Sequence, residues 1–170
     1  MLIILFGLSG SGKNFVGNIL QNHFDFHFWD ADQALPQDML DCIAQKQSFT
    51  QAQRDNFTRV IIEKVSSLEN NPNNQNLVVA QALYKEKNRK EIQDAFPDAI
   101  FFHVKASPEK IMARRRNSNE GIDADYAKKI SLNFENPILT HEDIENNSDK
   151  QAIVEQLSSY LNKRKLNLKN

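Results

Sequence analysis

The chain has 170 residues, a formal net charge of −1 and one cysteine, Cys42. This length suits one domain around a single core, the balanced charge argues against a nucleic-acid-binding protein, and a lone cysteine excludes a disulfide framework. The apolar stretch at residues 1–8 is far shorter than the roughly 20 residues of a membrane span and lacks the basic segment of a signal peptide. We therefore expect a cytoplasmic protein with no nucleic-acid or membrane partner.

The first predicted elements surround a glycine-rich loop. Residues 2–6, Leu-Ile-Ile-Leu-Phe, form a continuous apolar run, which predicts a strand buried on both faces of a parallel sheet. Residues 7–14 read GLSGSGKN, and apolar residues then recur at helical spacing through Leu20. A strand, a glycine loop and a helix form the context that the phosphate-binding motif G-x-x-x-x-G-K-[ST] requires.

The loop predicts a site for a nucleotide triphosphate. Glycine permits the backbone conformations that aim several N–H groups at phosphate oxygens. Lys13 stands where its ammonium can reach the β- and γ-phosphates, and the following helix points its positive end at the same oxygens. The predicted nucleotide-binding residues of the loop are Gly7, Ser9, Gly10, Ser11, Gly12, Lys13 and Asn14.

Asn14 is the one departure from the motif, which ends in a serine or threonine whose hydroxyl ligates Mg²⁺. An asparagine amide oxygen can also ligate Mg²⁺, but it reaches further than a hydroxyl, and magnesium demands tight octahedral geometry. Three outcomes stay open at this point: the metal shifts, it binds through water, or activity is low.

The second predicted strand ends in a pair of carboxylates. Residues 24–29 alternate phenylalanine with other residues, which predicts a strand whose rings belong to the core, and Asp30 and Asp32 follow. One carboxylate near the phosphate loop can hold water around Mg²⁺, and the other can orient an acceptor hydroxyl and take its proton. The alternative is a capping or turn role, since aspartate is common in loops.

The later part of the chain alternates helical and apolar patterns. Helices are predicted at residues 36–47, 50–69, 86–95, 108–116 and 123–134 and after residue 148, and strands at 77–80, 99–104 and, weakly, 142–146. The predicted helix starts are a capping box of Thr50 with Gln53, Ser107 before Pro108, and Ser148 with Gln151. Alternating strands and helices imply a parallel sheet with helices on both faces and ligands beyond the carboxyl ends of the strands.

Three motifs carry a resemblance to a known group of enzymes. The loop GLSGSGK, the strand-end Asp-x-Asp and Val-Val-Ala-Gln-Ala-Leu-Tyr-Lys at residues 78–85 have the order and spacing of small P-loop kinases of the gluconokinase and shikimate kinase group. The chain resembles that group over most of residues 1–160. The resemblance implies a single domain at 1–170 with a three-layer α/β P-loop kinase fold and a five-stranded parallel sheet. It also implies a small lid at about 114–123 and an acceptor-binding helical region at about 33–69.

The resemblance also implies roles for individual residues. It gives catalytic roles to Lys13, Asp32, Arg114 and Arg116, a magnesium site to Asn14 and Asp30, and a nucleotide contact to Asn146. It assigns acceptor binding to Asp32, Arg54 and Lys85. Arg54 is alternatively an exposed helix arginine, and the three arginines at 114–116 are alternatively a solvated basic face.

The implied function is an ATP- and Mg²⁺-dependent kinase that phosphorylates a hydroxyl of a small metabolite, such as gluconate or a related carbohydrate. The chain is expected to act as a monomer or a homodimer. Residues 34–40 and 46–49 do not match the substrate-side stretch of gluconokinases. The alternatives are a nucleoside or nucleotide kinase and a degenerate nucleotide-binding protein without activity. The four histidines show no metal-ligand spacing.

Overall fold

The computed structural model describes residues 1–116 and 123–167, and the side chains through residue 164. The strands of the described chain are β1 (Leu2–Phe6), β2 (His27–Asp30), β3 (Leu77–Ala80), β4 (Ile100–Lys105) and β5 (Glu142–Glu145). They form one sheet in the order β2-β3-β1-β4-β5, and every neighbouring pair is parallel.

Helices cover both faces of this sheet. They are α1 (Lys13–Phe24), α2 (Gln37–Ala44), α3 (Gln51–Glu69), α4 (Glu86–Ala95), α5 (Pro108–Arg116), α6 (Ala124–Ser131) and α7 (Lys150–Asn167), with a short 3₁₀ turn at Ala31–Ala34. The predicted three-layer α/β architecture with a five-stranded parallel sheet is therefore confirmed. No helix in the described part of the chain is both long and apolar enough to cross a membrane.

Strand β1 joins two apolar cores because its successive side chains point to opposite faces. Phe6 packs with Phe57 of α3 on one face, and Leu5 packs with Val16 of α1 on the other, all of them buried. Each such side chain contributes on the order of 1.5–3 kcal/mol through its burial. This burial fixes the central strand, and the loop that follows it projects from the carboxyl edge of the sheet.

Several predicted boundaries are wrong, among them the ends of α2 and α6, which lie at Ala44 and Ser131 and not at residues 47 and 134. The second strand begins at His27 and not at residue 24, because α1 continues to Phe24 and ends only where Asp25 adopts a left-handed conformation (φ 59°). The last helix is capped by Asp149 and not by Ser148: the Asp149 carboxylate accepts a hydrogen bond of 3.0 Å from the Ala152 amide. An aspartate at this position both satisfies a free N–H group and complements the helix dipole.

Candidate active site

The glycine-rich loop has the backbone of a phosphate cradle. Gly7 and Gly12 have φ values of +141° and +96°, in a region that residues with side chains rarely adopt. A Cβ atom at Gly7 would lie 2.4 Å from the Val104 carbonyl oxygen, and one at Gly12 would lie 2.0 Å from Asn146 Nδ2. Both positions therefore require glycine for two separate reasons, conformation and space.

The loop is held from its outer side by two residues that the sequence assigned to the site. Arg114 Nη1 donates to the carbonyl oxygens of Gly10 (3.1 Å) and Ser11 (2.9 Å), and its Nη2 donates to the carbonyl of Asn146 (3.1 Å). The Asn146 side chain, 1% exposed, donates to the Ser11 carbonyl at 2.8 Å. Partial burial lowers the pKa of Arg114. These bonds hold the loop carbonyls outward and fix the planes of the peptide groups.

Lys13 folds back over the same loop. Its ammonium donates to the carbonyl oxygens of Gly7 (3.1 Å) and Leu8 (3.0 Å). Lys13 is also the first residue of α1, so its charge and the positive end of the helix lie at one place. The predicted anion site is thus built from one lysine, one helix terminus and one glycine loop.

The two carboxylates at the end of β2 have different surroundings. Asp30 accepts a bond of 3.0 Å from the Asp32 amide, which caps the 3₁₀ turn, and one of 2.5 Å from Asn14 Nδ2. Asp30 therefore has the capping role that was the alternative and also lies against Asn14. Asp32 accepts a bond of 2.9 Å from the amide of Gln81, whose side chain is mostly buried. Gln81 thereby fixes one oxygen of the Asp32 carboxylate.

A cavity lies beside the loop, between the ends of the strands and helices α2, α3 and α6. Its polar wall includes Ser9, Lys13, Asp32, Arg54, Gln81, Tyr84, Asn88 and Tyr126. Its apolar wall includes Leu35, Met39, Ile43, Phe49, Phe57, Ile61, Leu83 and Ile130. Many of these residues belong to the region at 33–69 that was predicted to bind the acceptor.

Arg54 is a cationic group of the cavity wall in addition to Lys13. Its guanidinium carbon lies 5.5 Å from the centroid of the Phe49 ring and 5.5 Å from that of the Tyr84 ring. The side chain is half-buried, and desolvation lowers its pKa. A guanidinium placed between two aromatic rings and facing a cavity is suited to bind an anionic group.

Two predicted site residues lie elsewhere. Lys85 Nζ is 3.0 Å from Oε1 of Glu135, and Lys85 is not among the residues that line the cavity. Arg116 is exposed at the end of α5. The predicted lid follows it, and residues 117–122 of that lid lie outside the described residues. The catalytic role of Arg116 and the acceptor role of Lys85 stay predictions.

Sequence reasoning missed four residues of the polar wall of the cavity: Gln81, Tyr84, Asn88 and Tyr126. Gln81 and Tyr84 follow β3, in a stretch that the strand-end rule and the resemblance at residues 78–85 both marked without giving either residue a role. The Tyr84 hydroxyl accepts a bond of 3.3 Å from the Ser9 amide and so contacts the phosphate loop directly. No motif in the sequence marked Tyr126 as a site residue. Its hydroxyl donates a hydrogen bond of 2.5 Å to the Gln47 carbonyl, which holds the side chain at the cavity wall.

Solved structures with the same architecture include several kinases. A gluconokinase from Sinorhizobium meliloti 1021 is 20% identical, with a TM-score of 0.81 over 98% of this chain and 94% of that one. A sugar kinase from Janibacter sp. HTCC2649 is 17% identical, with a TM-score of 0.79 over 92% of each chain. A shikimate kinase from Aquifex aeolicus vf5 is 17% identical, with a TM-score of 0.61 over 98% of this chain and 99% of that one. At these identities the likeness shows the fold alone.

Comparison of the amino-acid sequence with protein-family models identifies the family of the chain. No curated protein matches the chain. The family model described as Shikimate kinase matches residues 9–163, which is nearly the whole chain. P-loop kinases of this family use ATP, typically with Mg²⁺, and a small-molecule substrate. Together with the resemblance of the loop and of the strand-end carboxylates, this match shows that the chain belongs to the shikimate kinase family.

Proposed function

We propose that the chain is an ATP-dependent kinase that transfers the γ-phosphoryl group to a hydroxyl of a small hydroxylated carboxylic acid. The observation that carries the proposal is that Lys13, Asp32 and Arg54 line one cavity beside the phosphate loop. Lys13 serves the phosphates, Asp32 the acceptor hydroxyl and Arg54 the acceptor carboxylate. A cytoplasmic location and a monomeric or homodimeric state belong to the same proposal.

The residues around the phosphate loop are suited to hold a nucleotide and Mg²⁺. Ser11 Oγ and Asn146 Oδ1 are buried, and neither has a hydrogen-bond partner among the described residues. Buried polar atoms of this kind are costly unless paired, and a bound nucleotide offers partners. Asn14 and Asp30 bring an amide and a carboxylate together, and their oxygens are the ligands that Mg²⁺ prefers. Bound Mg²⁺ supplies positive charge to the phosphate oxygens.

Asp32 acts mainly by positioning the acceptor. An alcohol is too weak an acid to lose its proton early, and phosphoryl transfer passes through a loose transition state. The Asp32 carboxylate therefore holds the hydroxyl in line with the γ-phosphoryl group and takes its proton late. Gln81 donates to one oxygen of this carboxylate at 2.9 Å and thereby helps to orient the carboxylate at the cavity that would hold the acceptor.

The cavity wall bears on the kind of acid that binds. Phe49, Phe57, Tyr84 and the aliphatic residues give Arg54 apolar surroundings. An extended polyhydroxylated chain such as gluconate would bury several hydroxyls, each of which needs a partner. A compact ring that bears one carboxylate and few hydroxyls would bind against this wall with a smaller free-energy cost of desolvation. The proposal therefore includes sugar acids such as gluconate and favours cyclic hydroxy acids among the acceptors.

One experiment separates this proposal from the alternatives. The protein is incubated with Mg·ATP and a panel of sugar acids, cyclic hydroxy acids, neutral polyols and nucleosides, and ADP release is followed. Acceptor-dependent ADP with a carboxylic acid supports the proposal. ADP only with nucleosides supports a nucleoside kinase, and tight ATP binding with no turnover on the whole panel supports a nucleotide-binding protein without activity.

Replacing Arg54 tests the carboxylate site. We expect Arg54→Ala to raise the KM for the acidic acceptor by about 10- to 100-fold, because a charge-assisted hydrogen bond contributes about 1.5–3 kcal/mol. The KM for ATP should not change. Arg59→Ala removes an exposed arginine from the same helix and is the matched control. An unchanged acceptor KM in Arg54→Ala would remove Arg54 from the binding site.

Replacing Asn14 tests the metal site. We expect Asn14→Thr to increase the ratio of ATP affinities measured with and without Mg²⁺, because a hydroxyl suits the bonds of about 2.0–2.1 Å that Mg²⁺ forms. Equilibrium titration of ATP at fixed ionic strength measures this ratio. Asn18→Thr makes the same exchange on an exposed turn of α1 and controls for helix propensity. An unchanged ratio in Asn14→Thr would mean that Asn14 already serves the metal or that the metal does not depend on this position.

A further inference from the structure

Three side chains with metal-ligand chemistry lie together away from the proposed magnesium site. His103 lies on β4, Asp143 on β5, and His141 just before β5. The parallel register pairs His103 directly with Asp143. One ligand atom from each of the three residues lies within 4.8 Å of the other two. The histidines show no metal-ligand spacing in the sequence, and strand pairing nevertheless brings two of them together.

A hydrogen bond defines which nitrogen of His141 carries the lone pair. His141 Nδ1 lies 2.8 Å from the Leu139 carbonyl oxygen, which can only accept, so Nδ1 holds the proton. In the neutral ring, Nε2 then presents its lone pair to Asp143 Oδ1 at 3.6 Å. His103 Nδ1 lies 3.6 Å from the same oxygen. Both distances are too long for hydrogen bonds, so a cation between these atoms would satisfy all three.

His103 is held in one orientation by two aromatic rings. Its ring stacks on Phe6 with centroids 4.9 Å apart and on Phe134 with centroids 5.5 Å apart. A neutral imidazole with fixed orientation is the form that binds a metal.

We propose that His103, His141 and Asp143 form a binding site for Zn²⁺ or a similar divalent transition-metal ion. Tetrahedral Zn²⁺ with bonds of 2.0–2.1 Å places its ligand atoms about 3.3 Å apart. The two histidine–Asp143 separations of 3.6 Å exceed this value by about 0.3 Å, and the two histidine nitrogens, which lie within 4.8 Å of each other, would also move toward the metal. Two imidazoles and one carboxylate suit Zn²⁺, Co²⁺ or Ni²⁺, whereas Mg²⁺ prefers oxygen ligands.

The neighbouring charges limit the affinity without excluding the site. Lys105 Nζ lies 3.0 Å from Oδ2 of Asp143, which leaves Oδ1 to face the two histidines. Arg89 stacks on the same Phe6 and Phe134 rings as His103, and its positive charge opposes cation binding. The Asp143 side chain is 46% exposed, so water can reach a fourth position on the metal.

Metal binding here would connect the edge of the sheet to the segment that precedes it. The ligands come from β4, from the edge strand β5 and from the residues that lead into β5. A ligand that binds the folded chain but not the unfolded chain raises the thermal stability of the protein by mass action. The metal would therefore hold β5 against β4 without taking part in the proposed phosphoryl transfer.

The test uses the full chain after treatment with a chelator, with no nucleotide present and with Zn²⁺ as the only added divalent ion. A competition titration against a chromophoric chelator gives the affinity, and Co²⁺ absorption reports the coordination. We expect wild-type protein to bind one Zn²⁺ at this site and to melt at a higher temperature with it. His141→Ala and Asp143→Asn, both at accessible positions, should each weaken binding by at least about tenfold.

Two control variants separate this site from other ligands in the chain. His23→Ala removes an exposed histidine of α1, and Cys42→Ser removes the lone thiol. Both should bind Zn²⁺ as the wild type does. Binding that persists unchanged in His141→Ala and Asp143→Asn, or that is lost in Cys42→Ser, would overturn the proposal. Absence of any Zn²⁺-dependent shift in the wild type would overturn it as well.

Discussion

Asp32→Asn is expected to reduce kcat by about 10²- to 10⁴-fold while leaving the affinity for ATP nearly unchanged. Asparagine keeps the shape of the side chain and can still pair with Gln81. It cannot accept the proton of the acceptor hydroxyl, and it presents a weaker acceptor to that hydroxyl. Because Asp32 is exposed at the mouth of the cavity, the substitution leaves the core intact.

Acceptor-dependent ADP release measures kcat for this variant, and equilibrium titration measures its ATP affinity. Asp25→Asn is the matched control, since it removes one carboxylate at the end of α1, away from the cavity. Asparagine tolerates the left-handed conformation that Asp25 adopts, so the fold is retained. Full activity in Asp32→Asn would remove Asp32 from the mechanism and leave its contact with Gln81 without a catalytic purpose.

Arg89→Met is expected to lower the free energy of unfolding by about 3–5 kcal/mol, the cost of breaking a buried ion pair by removing one partner. Arg89 is 0% exposed, and its guanidinium donates to Glu86 Oε2 (2.7 Å) and to the carbonyls of Leu83 (3.0 Å) and Glu135 (2.7 Å). Methionine fills much of the volume but leaves all three acceptors without this donor.

Urea unfolding of the full chain measures this loss. Lys90→Met removes the neighbouring cation, whose pair with Asp94 is exposed, and should change stability by no more than about 0.5 kcal/mol. The double variant Arg89→Met/Glu86→Gln should recover part of the loss, because Glu86 is then no longer left as an unpaired carboxylate. A stability of Arg89→Met equal to that of Lys90→Met would show that the buried arginine is not structurally required.

The elements that the sequence predicts well are those whose signals are local. The buried run at 2–6, the glycine loop and the capping box of Thr50 each lie within a few consecutive residues, and the structure confirms all three. The wrong helix cap at Ser148 has a simple cause. Serine and aspartate both cap helices, and residues 148 and 149 are adjacent, so only the observed bond to the Ala152 amide distinguishes them.

The candidate site is predicted less completely because its wall is assembled from distant segments. Arg54, Tyr84 and Tyr126 come from α3, from the residues after β3 and from α6. Periodicity marks the apolar faces of such helices but does not tell which faces meet at a cavity. The same limit applies to His103 and His141, which become neighbours only through the register of two strands.

The way in which the phosphate loop is held has a consequence for protein engineering. The loop is eight consecutive residues, yet Arg114 and Asn146, which hold its carbonyls, stand 104 and 135 positions away from the residues they bind. A transplant of GLSGSGKN into another parallel sheet would carry the glycines and leave these two donors behind. The phosphate-binding unit is therefore discontinuous in sequence, and a successful graft must include Arg114 and Asn146 together with the eight loop residues.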